Sequence, residues 1–352
     1  MSRLDEAGIL ALDVSGMLEH AEALGAELLK AWEQSESLEL PQGAEHATGV
    51  VVAGMGGSAT AGDYFAALCE RSSEVPVAVV RGYELPQYVS DRTLVIISSY
   101  SGNTEETLSC YDDAWKRGSF MLATTTGGKI AERAEADGVP VHRITYRSAP
   151  RAALGHGLAP LLRVGQRLDF FHCGPDAVSN AAALHDSLVT NHLGPEVPTA
   201  RNPAKQLAEA LHGRLPLILS ASHLATVATR FKNQLAENGK ALAAVDTMPE
   251  ANHNLVVGLG TAPEVADSVA LVTMESDLYD RRIERRFQVT RDLFEEAGLP
   301  VHRILVEGTN VLEQLIAGTA WGDFVSCYLA LLHGVDPSPV PQIDRLKAAL
   351  AG

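Results

Sequence analysis

The chain has 352 residues, 46% of them hydrophobic, and its 28 Lys and Arg against 44 Asp and Glu give a net charge of −16. This length corresponds to about two domains at the usual ~100–200 residues per domain. The acidic excess repels a long anionic polymer unless a local basic patch intervenes. Nucleic acid and acidic membrane surfaces are therefore not expected partners.

The cysteines and the N-terminal residues bear on where the protein works. The four cysteines are scattered without a C-x-x-C pair, at Cys69, Cys110, Cys173 and Cys327. This spacing favours reduced, buried thiols over a disulfide framework or a zinc site. Acids stand where a signal peptide needs a basic region, and no stretch reaches ~18 uninterrupted apolar residues. These features predict a cytoplasmic protein without a membrane span.

Apolar runs alternate with helix-length stretches along most of the chain. Residues 1–45 mix Leu, Ala and Glu at helical spacing and predict an N-terminal helical segment. The runs that predict buried strands are 49–53, 75–80, 93–97, 120–123, 215–219, 269–273 and 301–306. Strands that alternate with helices indicate an α/β fold with parallel sheets covered by helices on both faces.

This alternation occurs twice, which predicts two α/β domains of one design. A single large sheet is the open alternative. Residues between the two series are more helical and punctuated by prolines. The predicted divisions are a helical segment at 1–45, a first domain at 46–155, a helical connector at 156–204, a second domain at 205–335 and a C-terminal helix at 336–352.

A glycine-rich loop, Gly54-Met-Gly-Gly-Ser58, follows the first predicted strand. Its glycines permit a tight turn and close backbone approach, and the helix that follows offers free N–H groups to an anion. Gly54, Gly56 and Ala59 also satisfy the dinucleotide pattern G-x-G-x-x-A, and Arg81 could meet a ribose 2′-phosphate. This loop alone leaves an NADP-dependent oxidoreductase open.

A second loop concentrates hydroxyl groups at one predicted helix N-terminus. It includes Ser99, Ser101, Thr104 and Thr107, which exceed what one helix cap needs, although a cap by Ser101 is the open alternative. The terminal oxygens of a phosphate monoester bind many short donors from several directions. The loop therefore favours a phosphate monoester over a dinucleotide.

Six separated motifs occur in the order found in one known family. They are Gly54-Met-Gly-Gly-Ser58, Ser99-Tyr-Ser-Gly-Asn-Thr104, Pro150-Arg-Ala-Ala-Leu-Gly155, Asn233-Gln-Leu-Ala-Glu237-Asn, Pro249-Glu-Ala-Asn-His253-Asn, and Asp336-Pro-Ser-Pro with Ile343-Asp-Arg-Leu-Lys347. From residue 49 to Lys347 the chain resembles the bifunctional phosphoglucose/phosphomannose isomerases, which have two sugar isomerase (SIS) domains. Ala59-Thr60 departs from the family's usual Gly-Ile, and Ala236 replaces the first Asn of its Asn-Glu-Asn.

The resemblance implies a fold, an assembly and an activity. The fold would be two SIS domains, each a parallel sheet flanked by helices in a flavodoxin-like sandwich, and the assembly a homodimer with active sites at the subunit interface. The activity would be interconversion of glucose 6-phosphate and fructose 6-phosphate, with mannose 6-phosphate also accepted and no cofactor. The residues implied to bind the phosphate are Gly57, Ser58, Ser99, Ser101 and Thr104.

Aldose–ketose isomerisation moves a proton between C2 and C1 through a cis-enediolate, so one base must reach both carbons. By the resemblance this base is Glu237, and His253 opens the sugar ring, as a group that titrates near neutral pH can. Arg151 would stabilise the enediolate oxygens with a permanent cation, and Lys347 would reach the phosphate and ring oxygen. Without the resemblance, these four would be a helix acid paired with a lysine, a structural histidine, a surface arginine and a solvent-facing lysine.

Lys347 lies on a predicted C-terminal helix with an apolar stripe formed by Ile343, Leu346 and Leu350. The stripe predicts that this helix packs against the protein near the active site.

The sequence carries no metal-ligand pattern, because no histidine pair forms H-E-x-x-H and the cysteines are far apart. A zinc-dependent reaction is therefore not expected. A phosphosugar-binding SIS regulator without activity is a second possible function. The presence of Glu237, Arg151 and His253 favours the enzyme, and no helix-turn-helix or basic patch supports a DNA-bound regulator.

Overall fold

The computed structural model describes residues 2–350, except for the side chains of residues 261–263. The chain forms two compact units. The first-sheet unit is residues 23–183, and the second-sheet unit combines the residues up to Glu22 with those from Leu184 onward. These divisions differ from the boundaries predicted at 45, 155 and 204. The predicted N-terminal segment is split because the helix at 24–34 packs on the helix at 154–167, inside the first-sheet unit.

The α-helices are α1 (Met17–Glu22), α2 (Leu24–Gln34), α3 (Gly56–Cys69), α4 (Glu105–Lys116), α5 (Gly128–Asp137), α6 (Leu154–Arg167), α7 (Pro175–Leu188), α8 (Pro203–Leu211), α9 (Leu224–Glu237), α10 (Arg281–Glu296), α11 (Val311–Leu332) and α12 (Pro341–Leu350). The strands are β1 (Gly49–Gly54), β2 (Val77–Val80), β3 (Thr93–Ser98), β4 (Phe120–Thr125), β5 (Val141–Arg143), β6 (Leu215–Ala221), β7 (Ala244–Met248), β8 (Val269–Glu275) and β9 (Val301–Leu305). Two short 3-10 turns matter for the site, at Pro150–Ala152 and Glu250–His253.

The first-sheet unit contains a five-stranded parallel sheet of order β2-β1-β3-β4-β5. This is the flavodoxin-like order, in which helical crossovers cover both faces of the sheet. Residues 50–53 of β1 and all of β3 are buried, because a central parallel strand has no solvent-facing side. The predicted α/β fold is confirmed here.

The second-sheet unit contains a four-stranded parallel sheet of order β7-β6-β8-β9. Its order repeats the first four positions of the other sheet, so the two series of strands share one design. The two sheets are separate, and the alternative of one large sheet is therefore wrong.

The centre of the second-sheet unit is α11, which α8 and α9 flank. In the described part of the chain it alone is long and apolar enough to cross a membrane, with a mean hydropathy of 1.5 over an 18-residue window. That window is wholly buried inside the unit. A helix that is apolar on all sides and surrounded by other elements is typical of a protein core.

The four cysteines are buried thiols without disulfides, as the sequence predicts. Burial raises the pKa of the Cys69 thiol to about 12 and the pKa values of Cys110 and Cys173 to about 11. Few of these thiols are ionised at neutral pH, and so they are poor nucleophiles.

Candidate active site

The first candidate site region lies at the carboxyl ends of β1 and β3, where Gly54 pairs with Ser98. The strand order reverses between these two strands, because β2 lies on one side of β1 and the later strands lie on the other. Loops that leave a sheet at such a reversal point diverge and open a crevice for a ligand. The glycine-rich loop and the hydroxyl-rich loop both begin here.

The glycine-rich loop is in close contact with the turn that carries Arg151. A Cβ atom on Gly57 would lie 2.7 Å from the carbonyl oxygen of Pro150 and 3.4 Å from the Cα of Arg151. Only glycine permits this approach without displacing the backbone. Arg151 is 6% exposed, so the alternative of a surface arginine is wrong.

The hydroxyl-rich loop uses its side chains to hold its own shape. The Ser99 hydroxyl donates to Oγ1 of Thr104 at 3.1 Å and accepts the N–H of Gly102 at 3.1 Å. The Ser101 hydroxyl accepts the N–H of Asn103 at 3.2 Å. Thr104 is the residue before α4, and its side chain makes no capping hydrogen bond. The alternative in which Ser101 caps the helix is therefore wrong.

Ser58 joins the two loops, because its Oγ accepts the backbone N–H of Tyr100 at 3.2 Å. The loop that begins α3 and the Ser99–Thr104 loop are thus in direct contact. Short O–H and N–H donors at a helix N-terminus are the groups that bind a phosphate monoester.

Arg81, the residue that could meet a ribose 2′-phosphate, instead forms an ion pair with Asp63 of α3. Burial raises the pKa of the Asp63 carboxyl, and the neighbouring Arg81 guanidinium opposes that rise. The guanidinium is thus engaged within the fold, which counts against the dinucleotide alternative.

We expect Ser101→Ala and Thr104→Val each to raise KM for a phosphosugar about tenfold and to change kcat much less, since a hydrogen bond to a charged group contributes about 1.5–3 kcal/mol. Steady-state kinetics would measure both constants. Ser109→Ala is the matched control, because its hydroxyl lies on α4 beyond the loop and donates to the carbonyl of Tyr83. An unchanged KM with a lower melting temperature would mean that the loop hydroxyls serve stability alone.

Glu237 is the half-buried last residue of α9. A buried ion pair fixes this helix against α11: the Arg230 guanidinium donates to both carboxylate oxygens of Asp323 at 2.8 and 2.9 Å. Just past the helix end, the Asn238 amide donates to the Ser326 hydroxyl at 3.1 Å. The position of Glu237 is therefore set by polar contacts with the central helix of the unit.

Lys240 ties the end of α9 to the segment that precedes α12. Its ammonium donates to the backbone carbonyl of Glu237, and to those of Pro337 at 2.9 Å and Pro339 at 2.6 Å. Three carbonyl acceptors match the three N–H donors of a lysine. Lys240 also has a φ of 54°, the left-handed conformation that turns the chain sharply after the helix.

A cavity of ≈ 290 Å³ is lined by Glu237 and Lys240 and by Gln342 and Ile343 at the start of α12. The structure thus brings the predicted base and the beginning of the Lys347 helix together. Lys347 itself is exposed, one helical turn beyond Ile343.

The apolar stripe of α12 is exposed within this chain. Ile343 is 37% exposed, Leu346 58% and Leu350 78%. Within the single chain these side chains therefore do not pack as the stripe predicts. The first turn of α12 borders the Glu237 cavity.

We expect Lys240→Met to lower the free energy of unfolding by about 2 kcal/mol, because it leaves three carbonyls without their charged donor. It should also lower kcat/KM, since the α12 segment is released from Glu237. Urea unfolding followed by steady-state kinetics would measure both. Lys232→Met is the matched control, because Lys232 is a lysine within α9 itself. Equal effects of the two variants would contradict the prediction.

His253 is exposed at the end of the turn that follows β7. The preceding residue anchors this turn on α10: the Asn252 amide donates to Oγ1 of Thr290 at 2.8 Å and accepts from Arg286 at 3.2 Å. Because β7 is parallel to β6, the turn lies at the carboxyl edge of the sheet, whereas the end of α9 lies at the amino edge. The five residues of β7 separate these edges by about 16 Å.

The first-sheet unit thus carries the five predicted phosphate-binding residues on two loops in contact with each other, and Gly57 of one loop lies against the turn of Arg151. The second-sheet unit places Glu237 with the start of α12 and keeps His253 at its other edge. Among the residues that the structure describes, no group of three or more His, Cys, Asp and Glu is arranged to hold a metal ion.

Two parallel sheets of one strand order, with a hydroxyl-lined loop at the first reversal point, define a two-domain SIS protein. Residues 200–350 match the family described as the bacterial phospho-glucose isomerase C-terminal SIS domain. The bifunctional phosphoglucose/phosphomannose isomerase of Caldicellulosiruptor bescii is 38% identical over 336 residues, 95% of this chain and 99% of that protein. The enzyme of the same name from Aquifex aeolicus is 33% identical, over 86% of this chain and 90% of that protein.

The chain belongs to the bifunctional phosphoglucose/phosphomannose isomerase family, which confirms the resemblance seen in its motifs. A solved structure supports the fold. A glucose-6-phosphate isomerase like protein from Thermus thermophilus superposes with a TM-score of 0.64 at 19% identity, over 97% of this chain and 99% of that one.

Proposed function

We propose that this chain interconverts glucose 6-phosphate, fructose 6-phosphate and mannose 6-phosphate by proton transfer through a cis-enediolate. Membership of a family whose relatives are named for both isomerase activities carries the proposal. The arrangement of this chain's own residues supports it, since the hydroxyl-lined loop suits the phosphate of the substrate.

Each candidate residue has one task in this reaction. The hydroxyls of Ser58 and of the Ser99–Thr104 loop bind the phosphate, and His253 transfers a proton between the ring oxygen and the anomeric hydroxyl to open the sugar. Glu237 then removes the proton from C2 and returns it to C1. Arg151 stabilises the negative charge that develops on the enediolate oxygens, and Lys347 contacts the phosphate and ring oxygen.

One enediolate can serve both aldoses. Glucose 6-phosphate and mannose 6-phosphate differ only in configuration at C2, and that difference vanishes when the C2 proton leaves. A base that reaches C2 from either face, after rotation about the C2–C3 bond, returns the proton to give either aldose. The same Glu237 would therefore support both activities.

We further propose a cytoplasmic homodimer in which each active site takes Glu237 from one subunit and the partner's His253. The position of His253 and of the end of α9 at opposite edges of the second sheet, ~16 Å apart along β7, supports this assignment. Exposed apolar side chains in the second-sheet unit also suit a subunit interface. They include Leu242 at 80% and Val257 at 78% exposure, with the α12 stripe.

The test is conversion of fructose 6-phosphate by the purified protein without added nucleotide, with and without EDTA. We expect both aldose products at rates that EDTA does not change. Glucose 6-phosphate alone would limit the protein to phosphoglucose isomerisation, and loss of turnover in EDTA would contradict the metal-free mechanism. Phosphosugar binding without turnover would indicate a regulator, and turnover only with NADP an oxidoreductase.

A further inference from the structure

Tyr100 follows Ser99 in the hydroxyl-rich loop and contacts three other segments of the first-sheet unit. Its N–H donates to Ser58 in the glycine-rich loop at 3.2 Å. Its carbonyl accepts from the N–H of Thr126 at 3.0 Å and from the Thr126 hydroxyl at 2.7 Å. The backbone of Tyr100 thus connects the loops that follow β1, β3 and β4.

The phenol of Tyr100 makes the third connection. Its hydroxyl donates to the carbonyl of Tyr146 at 2.7 Å and accepts the N–H of Ser148 at 2.9 Å. One hydroxyl that acts as donor and acceptor toward two backbone groups is held in a single orientation. Residues 144–149, all of them described, form neither helix nor strand. The two hydrogen bonds of the Tyr100 hydroxyl therefore fix a segment that lacks regular structure.

That segment leads directly into the turn of Arg151. The turn is held on its other side by the close approach of Gly57 to Pro150 and to the Cα of Arg151. The backbone of Arg151 is therefore fixed by the glycine-rich loop on one side and, three residues upstream, by the Tyr100 hydroxyl. Both contacts connect the Arg151 turn to the loops that carry the phosphate-binding hydroxyls.

We propose that Tyr100 is a positioning residue that sets the Arg151 guanidinium at a fixed distance from the phosphate-binding loop. This inference rests on the proposed function. The substrate phosphate is attached at C6, whereas charge develops on the oxygens of C1 and C2. A substrate anchored by its phosphate therefore meets Arg151 only if the loop and the turn are held together. Displacement of a catalytic group by about 1 Å can lower a rate up to ~10²-fold.

The experiment begins with the wild-type protein, because absence of isomerisation there would overturn the proposed function and this inference with it. In Tyr100→Phe we expect kcat to fall about 10- to 100-fold, while KM for fructose 6-phosphate and inhibition by inorganic phosphate change less than about threefold. Unchanged phosphate inhibition shows that the loop is still folded. Tyr88→Phe is the control, since Tyr88 is an exposed tyrosine of the same unit.

A double-mutant cycle separates positioning from a general structural effect. Arg151→Ala should lower kcat about 10²- to 10³-fold, and adding Tyr100→Phe should cause little further loss, because the hydroxyl acts through the arginine. Losses that multiply would overturn the inference. It would equally be overturned by an unchanged kcat in Tyr100→Phe, or by a raised KM as its only effect.

Discussion

Glu237→Gln should lower kcat for conversion of fructose 6-phosphate at least 10²- to 10⁴-fold, the usual contribution of a general base. The amide keeps the shape of the side chain but cannot accept the C2 proton. We expect phosphosugar binding to stay nearly unchanged, since the phosphate-binding hydroxyls lie in the first-sheet unit. Steady-state kinetics and equilibrium titration with a phosphosugar would measure the two effects separately.

Glu296→Gln is the matched control for this variant, because Glu296 is also the last residue of its helix, α10, and is exposed. It should keep wild-type activity. If Glu237→Gln retained more than about a tenth of the wild-type kcat, far above the activity left after loss of a general base, the base would have to lie elsewhere.

Mixing two inactive variants should restore activity if each site is shared between subunits. Glu237→Gln and His253→Ala homodimers each lack a complete site. After subunit exchange at equal concentrations, half of the dimers are mixed, and each mixed dimer has one intact site of two. About a quarter of the wild-type activity should therefore return, as follows from a two-fold symmetric dimer.

The control replaces His253→Ala with the double variant Glu237→Gln/His253→Ala. Its mixed dimers with Glu237→Gln contain no carboxylate base, so no activity should return. If the first mixture regained no activity although mass spectrometry showed subunit exchange, Glu237 and His253 would belong to the same subunit's site, or one of them would have no role in the mechanism.

The sequence predicts every interior strand of the two sheets, and also the edge strands β2 and β9, which are mostly half-buried or exposed but still form apolar runs. The runs at 49–53 and 93–97 contain mainly Val, Ile and Leu, because central parallel strands must be apolar throughout. The two strands that sequence patterns missed, β5 and β7, are the other two edge strands. β5 has three residues, and β7 contains Asp246 and Thr247 and is mostly half-buried, so neither forms an apolar run.

The loops of the candidate site could be predicted because glycine and hydroxyl residues cluster after buried strands. The contacts of Tyr100 and Lys240 could not. Both side chains bind backbone groups that lie 46 to 99 residues away in sequence, and a backbone acceptor has no residue preference to detect. The exposure of the α12 stripe was also unpredictable, since an amphipathic pattern does not say whether its own chain covers it.

The divided second-sheet unit has a consequence for the order of folding during synthesis. Residues 23–183 are contiguous, so the whole first-sheet unit is synthesised before the larger part of the second-sheet unit. Helix α1 and the turn at Arg3–Asp5, however, contact α11, which is complete only at Leu332. At about 5–20 residues per second, the roughly 150 residues between Ala183 and Leu332 take about 7–30 s to make. The buried apolar side chains of Met17 and Leu18 are therefore synthesised before the first-sheet unit, whereas the helix that contacts α1 is complete only after it.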